Sequence, residues 1–325
     1  MTNLNILFEK FLDEAVYSLR LREETIKGYK AAYELLIKIM PHITMPQHIT
    51  EENMIQFFKL LNSRERIVGR NTVKKGIRRS TVATYRSKLN KFFKWLRRKN
   101  YISLNPFDEM EYPRVEYNNQ QYLEKEKIEA LFNYINYYSE YNNFLRKRNL
   151  AIISLALYSG LRKGEVLNLK LADIDFIRKT IYVCGETSKS KTDRYVLMNK
   201  ELASLLSDYI NERTQMGYKN EYFIVSAIKD TKFTAHGFKH FIAKLNQESG
   251  VKFHFHQLRH TFAVNCIKNG FDISELQPQM GHKDIRMTGT YLRKMPTDRM
   301  RGNIEGLRNG NWCFSPAQFL NYIGK

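Results

Sequence analysis

The sequence predicts a mainly helical protein with one small β-sheet, divided between two domains. Three observations carry that expectation. A chain of 325 residues is too long for one ordinary hydrophobic core. Apolar residues recur at spacings of three and four over most of its length, the mark of helices with one buried face. Period-two alternation is confined to Ile181-Tyr182-Val183 and Tyr195-Val196-Leu197, two runs that read as a hairpin.

Four helices are expected in the first hundred residues. Phe8, Phe11, Leu12, Ala15, Val16 and Leu19 mark the first. Ile26, Tyr29, Tyr33, Leu36, Ile37 and Met40 mark the second, which Pro41 stops. Thr50 is placed to cap a third, with Ile55, Phe58 and Leu61 inside it. Ser80 opens the fourth, where Val82, Tyr85, Leu89, Phe92, Phe93 and Leu96 form an apolar stripe. Its other face carries Arg86, Lys91, Lys94, Arg97 and Arg98, which would lie well against phosphates. Residues 1–104 thus form a helical domain. Asn105-Pro106 ends it, and 105–121 lack periodicity and read as a linker.

A second domain is expected over 122–294. Helices are predicted near 124–138 and 145–159, the latter ending at Gly160. A short helix follows, bearing Arg162 and Glu165 three residues apart. The hairpin turn holds Lys189, Lys191 and Arg194. Further helices are expected at 200–213, 235–248, 256–269 and 272–280, with Leu258, Phe262 and Cys266 buried in the third and Gly270 stopping it. Residues 295–325 form a tail that ends in a short amphipathic segment from Pro316.

Charge narrows the function. With 53 Lys and Arg against 33 Asp and Glu, the net charge is +20, which points to a polyanion such as nucleic acid. Between Arg64 and Lys99 stand 14 basic residues and a single acid, Glu65. Residues 1–115 carry net +10, so the remainder carries +10 as well, and both halves have reason to touch DNA. The three cysteines, Cys184, Cys266 and Cys313, are widely spaced and include no CxxC pair, which supports neither a disulfide framework nor a zinc ribbon. No signal peptide opens the chain and no apolar run reaches about 18 residues. A soluble cytoplasmic protein is expected.

The chemistry-bearing residues fall in one order: Arg162, within Ser159-Gly160-Leu161-Arg162-Lys163-Gly164-Glu165; Lys189, five residues before Arg194; His256 and Arg259, within His256-Gln257-Leu258-Arg259-His260; then Gly281-His282, with Tyr291 nine residues on. This series resembles the tyrosine site-specific recombinases, the phage-integrase and Xer class. The likeness spans about 122–293, and the helical first half resembles the core-binding domain of that family more loosely. It implies a SAM-like helical domain and a mixed α/β catalytic domain that close on DNA as a C-shaped clamp. It also implies a homotetramer on two recombination sites, coupled by exchange of the C-terminal tail. Since no segment of domain size precedes Leu4, the plan is closer to the two-domain Xer enzymes than to the larger phage integrases.

The residue types suit that chemistry. Attack on a phosphodiester gathers negative charge on its non-bridging oxygens, and Arg162 and Arg259, always protonated, are suited to clamp them. Tyr291 is the expected nucleophile, with an unperturbed pKa of about 10 that a cationic surround would help to overcome. Lys189 on the turn is the expected general acid for the leaving 5′-oxygen, with Lys191 two residues away as the other candidate. By the resemblance, His256 holds the phosphate and moves a proton, and His282 bonds a phosphate oxygen and helps to place Tyr291. Glu165 supports the first arginine and His260 is a supporting residue. Lys191 and Arg194 join the basic helix face as expected DNA contacts.

His254, His256 and His260 crowd together and His236 and His240 are four apart, yet no Cys, Asp or Glu lies at matching spacing, so no metal is expected. No cofactor is expected either, because the phosphodiester energy would be kept in a 3′-phosphotyrosyl link. Two other readings share some of these features: a type IB topoisomerase-like enzyme, and a DNA-binding protein that has lost catalysis.

Overall fold

The computed structural model describes residues 3–68, 72–111, 122–138, 142–186, 188, 191–282 and 284–289. The chain divides into two compact units, Met1–Asn118 and Asn119–Lys325. Lys189, Tyr291, most of the expected linker and the tail from 295 lie outside the described residues. Among the described residues no helix is long and apolar enough to cross a membrane.

The first unit holds helices α1 (Leu4–Asp13), α2 (Glu23–Ile39), α3 (Glu51–Ser63) and α4 (Arg79–Arg98). Asn3 and Thr50 cap α1 and α3 by accepting backbone N–H groups, as oxygen-bearing side chains do at helix starts. Its core is aromatic. The Phe8 ring stacks on Tyr33 at 3.9 Å and meets Phe92 edge-on at 5.1 Å.

Several expectations fail here for physical reasons. The first helix gives way at Glu14 to one wide turn over Glu14–Ser18, which leaves Val16 and Leu19 exposed. The Glu14 carboxylate accepts from the Trp95 indole and pairs with Lys99 at 3.2 Å, contacts that tie the turn to α4. On α3 the buried positions are Met54, Phe57 and Leu61, while Ile55 faces out. Between α3 and α4 the chain forms an unexpected hairpin, β1 (Glu65–Val68) against β2 (Thr72–Lys75), with Ile67 opposite Val73. The four-helix reading missed it because the strands carry more charge than alternation.

Arg86 does not belong to an exposed basic face. It is buried and donates to the carbonyls of Phe107, Met110 and Glu111. The guanidinium gathers three carbonyls of residues 107–111, and Phe107 fills the core beside it. Residues 105–111 therefore pack on the helical unit rather than starting a linker. Lys91, Lys94, Arg97 and Arg98 are exposed, with Arg97 on Asp108 at 2.7 Å and Arg98 on Glu14.

The second unit is built around α6 (Asn143–Ser159), which is buried on nearly every side and packs against α8 (Lys200–Gln215) and α10 (Phe255–Lys268). A helix buried all round needs apolar residues on all faces, and Leu150 to Leu157 supply them. Helix α5 (Lys125–Asn133) precedes it, followed by a wide turn over Tyr134–Tyr138. After it come α7 (Lys163–Asn168), α9 (Ala235–Glu248), α11 (Ile273–Met280) and α12 (Ile285–Gly289), the last not foreseen. The sheet is three-stranded and antiparallel, in the order β3 (Ile174–Asp175), β4 (Thr180–Val183), β5 (Arg194–Leu197), with Ile181 opposite Val196. Mainly helical with a small sheet is what the sequence predicted.

Candidate active site

The site grows from the end of α6. Gly160 closes that helix in a left-handed conformation, and a Cβ there would meet the Phe262 ring at 2.6 Å, so α6 and α10 approach over a bare glycine. Two residues on, Arg162 stands at the cap of α7 rather than within it. Its backbone N–H donates to Glu165 Oε2 at 2.9 Å and its Nη1 to Oε1 at 3.0 Å. Its Nη2 donates to the Gly281 carbonyl at 3.0 Å.

Glu165 also takes a second arginine. Arg194 donates through Nη1 and Nη2 to the two carboxylate oxygens, at 3.0 and 2.8 Å, and through Nε to the Gln279 carbonyl at 3.3 Å. The side chains of Arg194 and Glu165 are 8% and 2% exposed, which corrects the expected role of Arg194 as a DNA contact. It begins strand β5 and points to the inner face. The signal was present in the sequence: Arg194 and the buried Val196 are two apart on one strand, hence on one face. Burial alone would push the Glu165 carboxyl up, but the hydrogen bonds and charge of Arg194, and then of Arg162, hold it below the usual carboxylate range. Gly281 permits this packing. Its φ is +61°, and a Cβ there would lie 2.9 Å from the Arg194 guanidinium.

Arg259 comes from α10 and is fully buried. It donates to the carbonyls of Gly160 and Met280, and its Nη2 lies 3.0 Å from His282 Nε2. A guanidinium only donates, so Nε2 accepts and the ring proton of His282 sits on Nδ1. Nδ1 in turn faces Thr288 Oγ1 at 2.9 Å, on α12. Burial pushes the His282 pKa down to about 3, helped by the charges of Arg259, Arg162, His256 and His260. Thr288 is fully buried and escaped the sequence reading, as did Arg194's support of Glu165. A threonine three residues before the expected nucleophile carries no distinguishing pattern.

The remaining expected residues are placed as follows. His256 is exposed on α10 and half-buried His260 stands edge-on to it, with ring centroids 4.7 Å apart. Lys191 is exposed at the turn, with φ +55°. Arg162, Glu165, Arg259 and His282 are thus brought together around the chain from Met280 to His282.

Comparison with known proteins decides the family. The sequence pattern of the phage integrase family matches residues 121–297, more than half of the chain. The chain belongs to the phage integrase family. It is a tyrosine recombinase, a class of enzyme that breaks and rejoins DNA, and it acts in site-specific recombination. The recombinase is 28% identical over 266 residues to a tyrosine recombinase XerC of Listeria welshimeri, covering 80% of this chain and 85% of that one. It is 28% identical over 287 residues to a tyrosine recombinase of Thermosipho africanus, covering 88% and 94%. Its fold is similar to that of the Tn1549 transposon integrase in complex with transposon right end DNA. The TM-score is 0.74 at 19% identity, over 94% of this chain and all of that one. A lambda integrase dimer bound to a COC′ core site matches with a TM-score of 0.68 at 16% identity, over 89% and 95%.

Proposed function

We propose that the recombinase exchanges DNA strands through a covalent link between Tyr291 and a 3′-phosphate, with Arg162 and Arg259 as the clamp on the scissile phosphate. The observation that carries this reading is the convergence of the two guanidiniums. They come from the cap of α7 and from α10 and meet on the successive carbonyls of Gly281 and Met280, beside His282. A phosphate arriving there would replace carbonyl oxygens with charged ones, which bind a guanidinium more strongly.

The Tyr291 oxygen attacks phosphorus and the bond to the 5′-oxygen breaks. Lys189 gives that oxygen a proton, so a 5′-hydroxyl leaves rather than an alkoxide. His256 assists proton transfer and His282 donates to a phosphate oxygen. A 5′-hydroxyl of the partner duplex then attacks the phosphotyrosine, and a Holliday junction forms between the two exchanges. The helical first unit acts as the core-binding domain, SAM-like in plan, and the two units close on DNA as a clamp. Four protomers act on two sites, coupled by exchange of the tail from 295. The setting is the bacterial nucleoid in the cytoplasm. The net charge of +20 supports DNA as partner.

The test is a nicked suicide substrate carrying the cognate site. The chain should form a covalent protein–DNA adduct, and Tyr291→Phe should lose the adduct while keeping DNA binding. An adduct that survives Tyr291→Phe would overturn the assignment. Joint molecules between two duplexes are expected, whereas relaxation of supercoils without joints would mark a topoisomerase.

A further inference from the structure

Helix periodicity does not account for all of the basic surface of the first unit, although Lys91 and Lys94 of α4 are exposed where it placed them. On α4, Arg86 is buried on carbonyls, and Arg97, Arg98 and Lys99 each pair with an acid. The hairpin before it stands differently. From Arg64 to Arg79 the sequence holds seven Lys or Arg and one acid. Among the described residues, Lys74 and Lys75 make no ion pair, although Glu65 is the cross-strand neighbour of Lys75. In the register Arg66 stands opposite Lys74.

Nor does burial account for the hairpin. Every position of β2 is exposed, Ile67 is 74% exposed and Val73 60%. A two-stranded ribbon is marginal in water by itself. Its root, by contrast, is fixed: the buried Gly76 donates its N–H to the Arg64 carbonyl at 2.9 Å, and Arg64 donates to Leu60 O at the end of α3 at 3.0 Å. An exposed, cationic ribbon on a rigid root is suited to a polyanion, and the DNA major groove, about 12 Å wide, admits a two-stranded ribbon.

We propose that the β1–β2 ribbon is a DNA-contacting element of the first unit, entering the groove edge-on so that Lys74 and Lys75, on its opposite faces, reach the phosphates on either side. The proposal rests on the DNA partnership of the recombinase and adds to it a surface outside the helices. Its occupant is duplex DNA, selected by charge, rather than a protein attracted by the single apolar pair Ile67 and Val73.

The experiment measures binding of the full chain to a mixed-sequence DNA duplex over a range of salt. Each phosphate contact adds about 0.9 to the slope of log K against log salt. Lys74→Gln with Lys75→Gln should lower that slope by about 1.8 and weaken binding at low salt, while Lys74→Arg with Lys75→Arg should retain it. These positions are exposed, so folding should be unaffected, which circular dichroism checks. The charge-matched control is Lys125→Gln with Lys127→Gln, residues that already face Glu129 and Glu124. It should leave the slope unchanged. A wild-type slope in the Lys74/Lys75 glutamine variant overturns the proposal. A loss equal to that of the control overturns it too, because the effect would then be one of net charge. If the wild-type chain fails to bind the duplex at all, the DNA reading falls and takes the ribbon's role with it.

Discussion

Glu165 holds two guanidiniums at once, so removing either leaves a buried carboxylate half-neutralised. Arg194→Met should cost about 3 kcal/mol of stability, the usual penalty for breaking a buried pair from one side, and appears as a lower thermal midpoint. The same substitution frees Arg162 to turn from the Gly281 carbonyl, so adduct formation should fall as well. A variant with normal stability and normal cleavage would show Arg194 to be dispensable. Because the Glu165 pKa is lowered in the fold, its contribution is present above the ordinary value of 4.5 and is lost as the pH falls through the lower, folded value. His282 also loses stability in acid. Its folded pKa of about 3 lies below the ordinary 6.5, so the unfolded chain binds a proton first and stability falls between those values. His282→Gln should flatten that limb of a pH–stability profile, and an unchanged limb would refute the burial of a neutral ring. Thr288 matters through the same ring. As long as Nε2 accepts from Arg259, Thr288 Oγ1 accepts from Nδ1; when Nε2 must donate to a phosphate, the hydroxyl can turn and donate to Nδ1 instead. Thr288→Val should therefore slow cleavage and shift its pH profile, with Thr288→Ser restoring both.

At the level of elements, the end of α6 is the tightest junction of the site. Gly160→Ala would push a methyl group into the Phe262 ring from a left-handed backbone, at a cost of about 1–3 kcal/mol. It would also shift the carbonyl that Arg259 uses, so stability and cleavage should fall together in calorimetry and in the adduct assay. The helices of the second unit were legible because their apolar spacing is dictated by burial: α9 spans 235–248 as expected, and Leu258, Phe262 and Cys266 are buried as expected. That Arg162, Glu165, Arg259 and His282 lie close together follows the order of the short motifs that hold them. What sequence did not reveal depends on partners remote in the chain. Arg86 and Arg194 read as surface charge, since nothing near them in sequence announces the carbonyls or the carboxylate that bury them. The β1–β2 ribbon escaped for the opposite reason, as all four positions of β2 are exposed and impose no alternation.

Across the whole molecule, the charge gathered at the site bears on the expectation that no metal takes part. Arg162 and Arg259 already bring two positive charges to the site, the contribution a Lewis acid would otherwise make. Adduct formation on the suicide substrate should then be unchanged by a chelator, and loss of the adduct that zinc or magnesium restores would contradict this. The two units also differ from the expected domains in a way that can be measured. The core of the first unit closes with Phe107, and the Arg86 guanidinium is satisfied by carbonyls as far along as Glu111. A fragment of residues 1–111 should therefore fold by itself and unfold cooperatively. One ending at 104, where periodicity stops, loses a buried aromatic ring and takes from the Arg86 guanidinium its bonds to the Phe107, Met110 and Glu111 carbonyls. Removing the ring alone costs about 3 kcal/mol or more, and the hydrogen bonds lost by Arg86 add to it. The shorter fragment should have a much lower thermal midpoint or not fold at all, and Arg86→Met should recover part of the difference in the short fragment while destabilising the long one. Equal midpoints for the two fragments would mean that 105–111 add nothing to the helical unit.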